Sequence, residues 1–220
     1  MKNTNKVLFA ILMIGMIFPF VNKSFSQVTD IDGNTYKTIT IGTQEWTAEN
    51  LNVEHYRNGD PIPQVQDADE WGKLTYGAWC YSENKKLNGK TYGKLYNWYA
   101  LNDPRGFAPE GWHIPSDVEW NILIDYLGGG DVAGGKMKAK TKWESPNTGA
   151  TNESGFTGLP GGLRGYDGIF YYIGKTGDFW SSSEESYENG SLRYLVYVYS
   201  EVYKNINDKR NGLAVRCVKD

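Results

Sequence analysis

The sequence holds few of the side chains that build common catalytic and metal sites. Among its 220 residues there are only two histidines, His55 and His113, and two cysteines, Cys80 and Cys217. Zinc and non-haem iron sites need two or three imidazoles with carboxylate or thiolate support. We therefore expect no metal and no cofactor. We predict that His113, which stands in the apolar block WHI, is a core histidine with a backbone partner.

Basic residues are not in excess either. The chain has 26 acidic residues against 23 Lys and Arg, a formal net charge of −3, and no basic cluster. Proteins bind nucleic acid mainly by neutralising its phosphates, so we predict no nucleic-acid partner. Long apolar runs are missing after residue 26, and no transmembrane span is therefore expected in the mature chain.

The first 26 residues have the layout of a secretory signal peptide. Two lysines precede an apolar run over residues 7–21, and serines occupy the −3 and −1 positions of a cut before Gln27. The run is shorter than the about 20 residues that usually span a bilayer, although an uncleaved anchor is the alternative. We predict a signal peptide over 1–26 and a single domain over 27–220. The protein is expected to be exported and to reside in the periplasm, at the cell surface or outside the cell.

The expected export would place the two cysteines in an oxidising compartment. In an oxidising compartment a single cysteine pair often forms a structural disulfide, which predicts a bond between Cys80 and Cys217. The alternative is that both are buried apolar thiols, because Cys217 lies in AVRCV, a run typical of a core strand.

Two helices and an N-terminal strand are predicted from residue spacing. TYKTITI alternates in the period-two pattern of a strand over 35–41, preceded by the turn residues Asp-Gly-Asn. Apolar residues at three-to-four spacing predict a helix over 92–101. A second helix over 117–127 begins with a capping box formed by Ser116 and Glu119.

The apolar stripe of this second helix is predicted to consist of Val118, Ile122, Leu123, Tyr126 and Leu127. The remainder of the chain is rich in turn residues. A long irregular loop region is expected over 128–168, followed by strands, predicted over 169–173, 179–183, 193–200, 201–206 and 212–218.

Several sequence blocks together resemble a known family. They are DGNTYKTITIGTQEWTAENL, YGKLYNWYAL, APEGWHIPSDVEW, LPGGLRG, FWSSSE and AVRCV. In this order they resemble the Fibrobacter succinogenes major paralogous domain family. The resemblance implies a C-type-lectin-like α+β fold of the formylglycine-generating-enzyme branch, with two helices packed on antiparallel sheets and a long irregular loop region. It implies no specific ligand.

Three possible chemistries have weak support. The serines of WSSSE could serve as nucleophiles only with a positioned base, and they are better explained as hydroxyls that satisfy nearby backbone groups. Adjacent acids such as Glu184 and Glu185 are typical of a solvated loop. The run Asp30–Asn34 opens like a calcium loop but has Ile41 at the twelfth position, so it is predicted to be a hairpin turn.

A recognition surface is the remaining prediction. Tyrosine and arginine dominate binding hot spots because they combine contact area with polar groups, and both are common in the C-terminal third. The predicted ligand-binding residues are Arg164, Tyr166, Tyr187, Arg193, Tyr197, Tyr199, Tyr203, Lys204 and Arg210. We expect a secreted or cell-surface, non-enzymatic module that binds a glycan, a peptide or an envelope protein. An enzyme related to the formylglycine-generating branch, acting on a peptide or polysaccharide, is the alternative.

Overall fold

A computed structural model describes residues 26–220. The predicted signal peptide therefore lies outside the described residues, except for Ser26, which is the first residue of a strand. The chain combines short helices with many strands, and every pair of strands named below is antiparallel, which is consistent with the α+β class. No helix within 26–220 has the length and apolar character needed to cross a membrane.

The strands are β1 (Ser26–Thr29), β2 (Thr35–Ile41), β3 (Gln44–Thr47), β4 (Trp79–Cys80), β5 (Leu95–Tyr96), β6 (Trp112–His113), β7 (Leu163–Arg164), β8 (Phe170–Tyr171), β9 (Thr176–Glu184), β10 (Asn189–Val196), β11 (Val202–Asp208) and β12 (Val218–Lys219). The helices are α1 (Ala68–Trp71), α2 (Lys86–Tyr92), α3 (Trp98–Leu101), α4 (Asp117–Tyr126) and α5 (Gly130–Met137), with a 3-10 turn at Ser82–Asn84. One sheet has the order β1-β2-β3-β12-β6 and a second has the order β11-β10-β9. Two hairpins, β4-β5 and β7-β8, complete the strands.

Helix α4 confirms the capping-box prediction. The Ser116 hydroxyl accepts a hydrogen bond from the Glu119 amide, and the Glu119 carboxylate accepts one from the Ser116 amide. The predicted apolar stripe is wrong in part, because Val118, Ile122 and Tyr126 are exposed while Trp120 is completely buried. The Trp120 ring packs 4.9 Å from that of Trp46, so a residue outside the stripe sets the orientation of the helix.

The predicted helix over 92–101 is wrong in its middle, because only Tyr92, the last residue of α2, and Trp98–Leu101 are helical. Helix α2 ends at Tyr92, because Gly93 adopts a φ of 72° and lies where a Cβ atom would contact the Leu51 carbonyl oxygen at 2.7 Å. The chain then forms β5, which pairs with β4, before the Asn97 side chain caps the short helix α3. Pairing with a distant strand thus overrides the local apolar spacing.

The remaining element predictions hold in part. The strand over 35–41 coincides with β2, and its preceding turn is a hairpin turn in which Asp30 Oδ1 accepts hydrogen bonds from two backbone amides. The predicted tail strands overlap β8, β9, β10 and β11, but the fifth, over 212–218, is a strand only from Val218. The loop region over 128–168 contains helix α5, which was not predicted.

Buried cations hold the irregular segments together. Lys138 is completely buried, and its ammonium group donates hydrogen bonds to the carbonyl oxygens of Thr148, Val196 and Tyr199. Burial lowers the pKa of Lys138 to about 8. A compact ammonium with three donors can bind three separate backbone segments at once, so this side chain fixes the loop that follows α5 to the end of β10.

The predicted disulfide is wrong, because both cysteines are free and buried. Cys80 lies in a small cluster with Trp71 and Leu95, whereas Cys217 belongs to a larger cluster with Trp112 and other core residues. Burial raises the pKa of the Cys80 thiol to about 12 and also raises that of Cys217. The alternative of two buried apolar thiols is the one that the structure has.

His113 is a carboxylate-bridging residue and not the core histidine that was predicted. Its Nδ1 atom lies 2.6 Å from Asp220 Oδ1, and its Nε2 atom lies 2.6 Å from Glu119 Oε1. Partial burial lowers the pKa of His113, but the hydrogen bonds to Asp220 and Glu119 outweigh it and raise the pKa above 6.5. The imidazolium ties the C-terminus to the capping box of α4.

This arrangement predicts a pH-dependent stability. A histidine whose pKa is raised in the folded state adds stability that is complete below pH 6.5 and is lost as the pH rises through the folded-state value. Because His113 is partly exposed, we expect a contribution below about 1 kcal/mol. Urea unfolding at pH 6 and pH 8.5 should show that His113→Gln removes this part of the pH dependence. Equal pH dependence in both proteins would contradict the prediction.

Candidate functional site

A cleft lies on one face of the β9-β10-β11 sheet. The strand register places Asp178, Tyr194 and Tyr203 side by side in one cross-strand row, with Leu192 and Asn205 in the next. Side chains in directly opposed positions of neighbouring strands share a face. This face therefore combines a carboxylate, aromatic rings and an amide.

The β7-β8 hairpin forms the opposite wall. Its turn carries Tyr166 and Asp167, and the Asp167 carboxylate accepts hydrogen bonds from the Ile169 amide and from the Tyr171 hydroxyl, the latter at 2.6 Å. Gly168 adopts a φ of 79° against the backbone of Ala68, where a Cβ atom would come within 2.5 Å. Only glycine fits this position, so the turn is held close to α1.

Arg164 anchors the hairpin from below. The side chain is completely buried, and its guanidinium donates hydrogen bonds to the carbonyl oxygens of residues 65–67 and Gly168. The guanidinium also lies over the ring of Trp71, 4.4 Å from its centroid. Rigid support of this kind is typical of a preformed site.

The resulting cleft has a volume of about 470 Å³, within the range of small-molecule sites. Four tyrosines contribute to its walls. The lining residues are Leu163, Gly165, Tyr166, Asp167, Tyr171, Tyr172, Thr176, Asp178, Leu192, Tyr194, Asn205, Asn207 and Asn211.

Asp178 is the most unusual residue of the cleft. Its side chain is buried and accepts a hydrogen bond from the Thr176 hydroxyl. No cation offsets the burial, which raises the pKa of Asp178 to about 6. A carboxyl group with a raised pKa in a cleft indicates a functional position.

Asn211 supplies a second polar group. Only 6% of this residue is exposed, and its Oδ1 atom is buried without a hydrogen-bond partner within residues 26–220. Buried polar atoms are paired in the great majority of cases. Asn211 lines the cleft, so a ligand that reaches this side chain can supply the missing hydrogen-bond donor.

Three of the nine predicted ligand-binding residues lie at or beside this cleft. Tyr166 lines it, and the guanidinium of Arg210 lies 5.4 Å from the Tyr166 ring centroid. Tyr203 stacks on Tyr194, with ring centroids 5.1 Å apart and an interplanar angle of 23°. Arg210 itself is held by Asp208 and does not line the cleft.

The other six lie elsewhere. Arg164 is buried beneath the hairpin, as described above. Arg193 and Lys204 lie on the opposite face of the sheet, where both form ion pairs with Asp117 at the start of α4. Tyr187 lies between β9 and β10 and is 92% exposed. Tyr197 and Tyr199 lie beyond the end of β10.

The sequence-based prediction missed the polar half of the site. Asp178, Asn205, Asn207 and Asn211 were not proposed, although the period-two spacing of β11 places Tyr203, Asn205 and Asn207 on one face. That spacing was a usable signal. Nothing in the sequence marked Asp178 or Asn211, since both depend on burial by segments remote in the chain.

Within residues 26–220 there is no cluster of three or more His, Cys, Asp or Glu side chains arranged to hold a metal ion.

Tyr172 has a strained backbone in the cleft wall, with a φ of 62° and a side chain that is 58% exposed. The left-handed region costs an L-residue about 1–2 kcal/mol, whereas glycine adopts it freely. We expect Tyr172→Gly to leave the free energy of unfolding unchanged or to raise it by up to about 1 kcal/mol. Tyr166→Gly, outside the left-handed region, should lower stability. Equal losses in the two variants, measured by urea unfolding, would show that the strain is negligible.

Comparison with known proteins connects the cleft to a family. Searches of curated proteins and of solved structures gave no match. Residues 39–219, which include every residue that lines the cleft, match the family model of the Fibrobacter succinogenes major domain. The chain therefore belongs to the Fibrobacter succinogenes major domain family.

Proposed function

We propose that this protein is a non-enzymatic recognition module that binds a glycan through the tyrosine-lined cleft. Export by a signal peptide, residence in the periplasm, at the cell surface or outside the cell, and a C-type-lectin-like fold of the formylglycine-generating branch are parts of the same proposal. A peptide and an envelope protein are the other ligands that such a module could take. The cleft favours a glycan because it combines aromatic faces with side-chain amides and a carboxyl group.

The unpaired Asn211 Oδ1 atom is the observation that carries the proposal. A buried acceptor without a partner costs about 1–3 kcal/mol, and a ligand hydroxyl that donates to it recovers that energy. Asp178 lines the same cleft, is buried and accepts a hydrogen bond from the Thr176 hydroxyl. Sites that hydrogen-bond a polar ligand in this way discriminate strongly against analogues without the donor.

Aromatic side chains supply the second element of glycan recognition. The apolar faces of a sugar ring pack well on flat rings, and tyrosine offers contact area at a low cost in conformational entropy. Tyr166, Tyr171 and Tyr172 line one wall and are all exposed. Tyr194, stacked on Tyr203, lines the sheet side.

An enzymatic function has less support. Both cysteines are buried and their thiol pKa values are raised, whereas a nucleophilic cysteine needs an accessible thiolate. Two of the three serines of β9 bond to backbone groups, with Ser183 accepting from the Asp117 amide and Ser181 from the Ser183 amide, and the third, Ser182, is exposed. Neither set of side chains offers an activated nucleophile.

The test is a glycan-array screen followed by calorimetry on the mature chain from Gln27. Tyr166→Ala should weaken binding at least about tenfold, because replacing a hot-spot residue by alanine typically costs about 2 kcal/mol of binding free energy. Tyr187→Ala is the matched control, since Tyr187 is the most exposed tyrosine and does not line the cleft. Equal loss in both variants, or no glycan binding by the folded protein, would refute the proposal.

A further inference from the structure

The cleft is acidic and has no basic lining residue. Two of its lining residues, Asp167 and Asp178, carry carboxyl groups, and none is Lys or Arg. Arg210 approaches the Tyr166 ring, but Asp208 and the Gly72 carbonyl oxygen bind its guanidinium. A ligand therefore meets negative charge without a competing internal cation.

The tyrosines add to this preference. An aromatic ring attracts a cation to its face, by about 0.5–1 kcal/mol at an exposed site and more in a desolvated one. Four tyrosines line the cleft, with the rings of Tyr171 and Tyr172 5.8 Å apart. Aromatic faces beside carboxylates are the surroundings that stabilise an ammonium group.

Asn211 also favours an ammonium group, because of its hydrogen-bonding capacity rather than any charge. Its buried Oδ1 atom can only accept a hydrogen bond, and so can an ionised Asp178. A sugar hydroxyl donates one hydrogen bond, whereas a primary ammonium donates three. Charge-assisted hydrogen bonds are also about twice as strong as neutral ones.

The rim of the cleft favours a saccharide as the carrier of the ammonium group. The side chains of Asn205 and Asn207 stand in alternate positions of β11, and each amide can both donate and accept. Mixed donors and acceptors suit the hydroxyls that surround the amine of a sugar. A lysine side chain would instead present four methylene groups, for which a narrow apolar channel is the better fit.

We infer that the cleft selects a saccharide that bears a free primary amine, such as a deacetylated hexosamine unit, over its N-acetylated counterpart. The inference rests on the proposed glycan-binding function. In the complex, the ammonium group lies against the Asp178 carboxylate and the Asn211 Oδ1 atom, and the sugar ring lies against the tyrosines.

The experiment compares β-1,4-linked oligomers of glucosamine and of N-acetylglucosamine of equal length. Calorimetry near pH 6.5, above the Asp178 pKa of about 6, keeps that carboxyl group mostly ionised. The wild-type protein should prefer the glucosamine oligomer by at least about tenfold. In Asp178→Asn the preference should fall to less than about threefold, with the affinity for the acetylated oligomer retained.

Controls distinguish a failure of the predicted amine preference from a failure of glycan binding itself. Tyr187→Ala should behave like the wild type, and circular dichroism establishes that each variant is folded. Equal affinity for both oligomers, or an undiminished preference in Asp178→Asn, would overturn the inference and leave glycan recognition standing. Failure to bind any saccharide on the array would remove the proposed function itself.

A tripeptide with a central lysine serves as a competitor. Weak or no competition at concentrations that saturate the cleft with the glucosamine oligomer supports a saccharide ligand. Displacement of that oligomer by the tripeptide at equal concentration would overturn the inference in favour of a peptide-borne ammonium group.

Discussion

Replacing Arg216 by methionine should destabilise the protein by about 5 kcal/mol, a large share of the total stability of a typical domain. Arg216 is completely buried, and its guanidinium donates to Asn50 Oδ1 and to the carbonyl oxygens of Thr47, Phe156 and Thr157. Methionine has a similar length but no donor. Three buried carbonyl groups would lose their partner, at about 1–3 kcal/mol each before relaxation.

The expected loss lies at the upper end of the about 3–5 kcal/mol that breaking a buried ion pair costs. A salt bridge can be replaced by apolar residues because both partners can be changed, whereas the partners of Arg216 are mostly backbone carbonyls that no substitution removes. Burial lowers the pKa of Arg216 to about 9. Removal of the charge therefore offsets part of the loss but not the unpaired carbonyls.

Urea unfolding followed by tryptophan fluorescence measures the effect. Arg216→Lys should be nearly as damaging, because an ammonium lacks the planar fork that reaches several segments. The control is Arg105→Met, since Arg105 forms partly exposed ion pairs with Asp60 and Asp103 and its loss should change stability little. Similar losses for Arg216→Met and Arg105→Met would refute the prediction.

Replacing Asp178 by asparagine should have a large effect of the opposite sign. The folded state raises the pKa of Asp178 from 3.8 to about 6. The folded protein then binds more protons than the unfolded chain between these values, so wild-type stability falls as the pH rises from about 4 to about 6. The penalty is complete above pH 6 and amounts to about 3 kcal/mol.

Asparagine retains an oxygen that can accept from Thr176 but carries no charge. We therefore expect Asp178→Asn to be more stable than the wild type at pH 7.5 by up to about 3 kcal/mol, with the gain vanishing below pH 3.8. Asp167→Asn is the control in the same cleft, because hydrogen bonds from Tyr171 lower the pKa of Asp167 and its removal should give no gain. A pH-independent difference for Asp178→Asn would contradict the prediction.

Together with the binding experiments, this result would describe a trade of stability for function. Natural sites often retain groups that destabilise the fold when those groups bind a ligand. A more stable Asp178→Asn variant that has lost its preference for amino sugars would be an instance of that trade.

Local signals in the sequence predicted some of these features well. The capping box of Ser116 and Glu119 and the period-two run of β2 depend only on neighbouring residues, and both are present as predicted. The helix over 92–101 failed because β5 pairs with β4 across an intervening segment. The disulfide prediction was wrong because an oxidising compartment does not determine whether two cysteines lie close together in the fold.

The candidate site was predicted by composition and only partly by position. Tyr166 was found because tyrosines are common in recognition surfaces. Arg164 was proposed for the same reason, but its donors are taken by carbonyl oxygens of residues 65–67, about a hundred positions earlier in the chain. Composition alone cannot distinguish an arginine that binds a ligand from one that binds the backbone.

The position of β12 has a consequence for how the chain folds. Val218 pairs with Trp46 on one side and with His113 on the other, so the last strand joins segments from the first and middle parts of the chain. Bringing together residues so far apart in the sequence costs loop-closure entropy before their contacts form, and this slows folding. The five-stranded sheet therefore cannot be completed until residues 218–219 have left the ribosome.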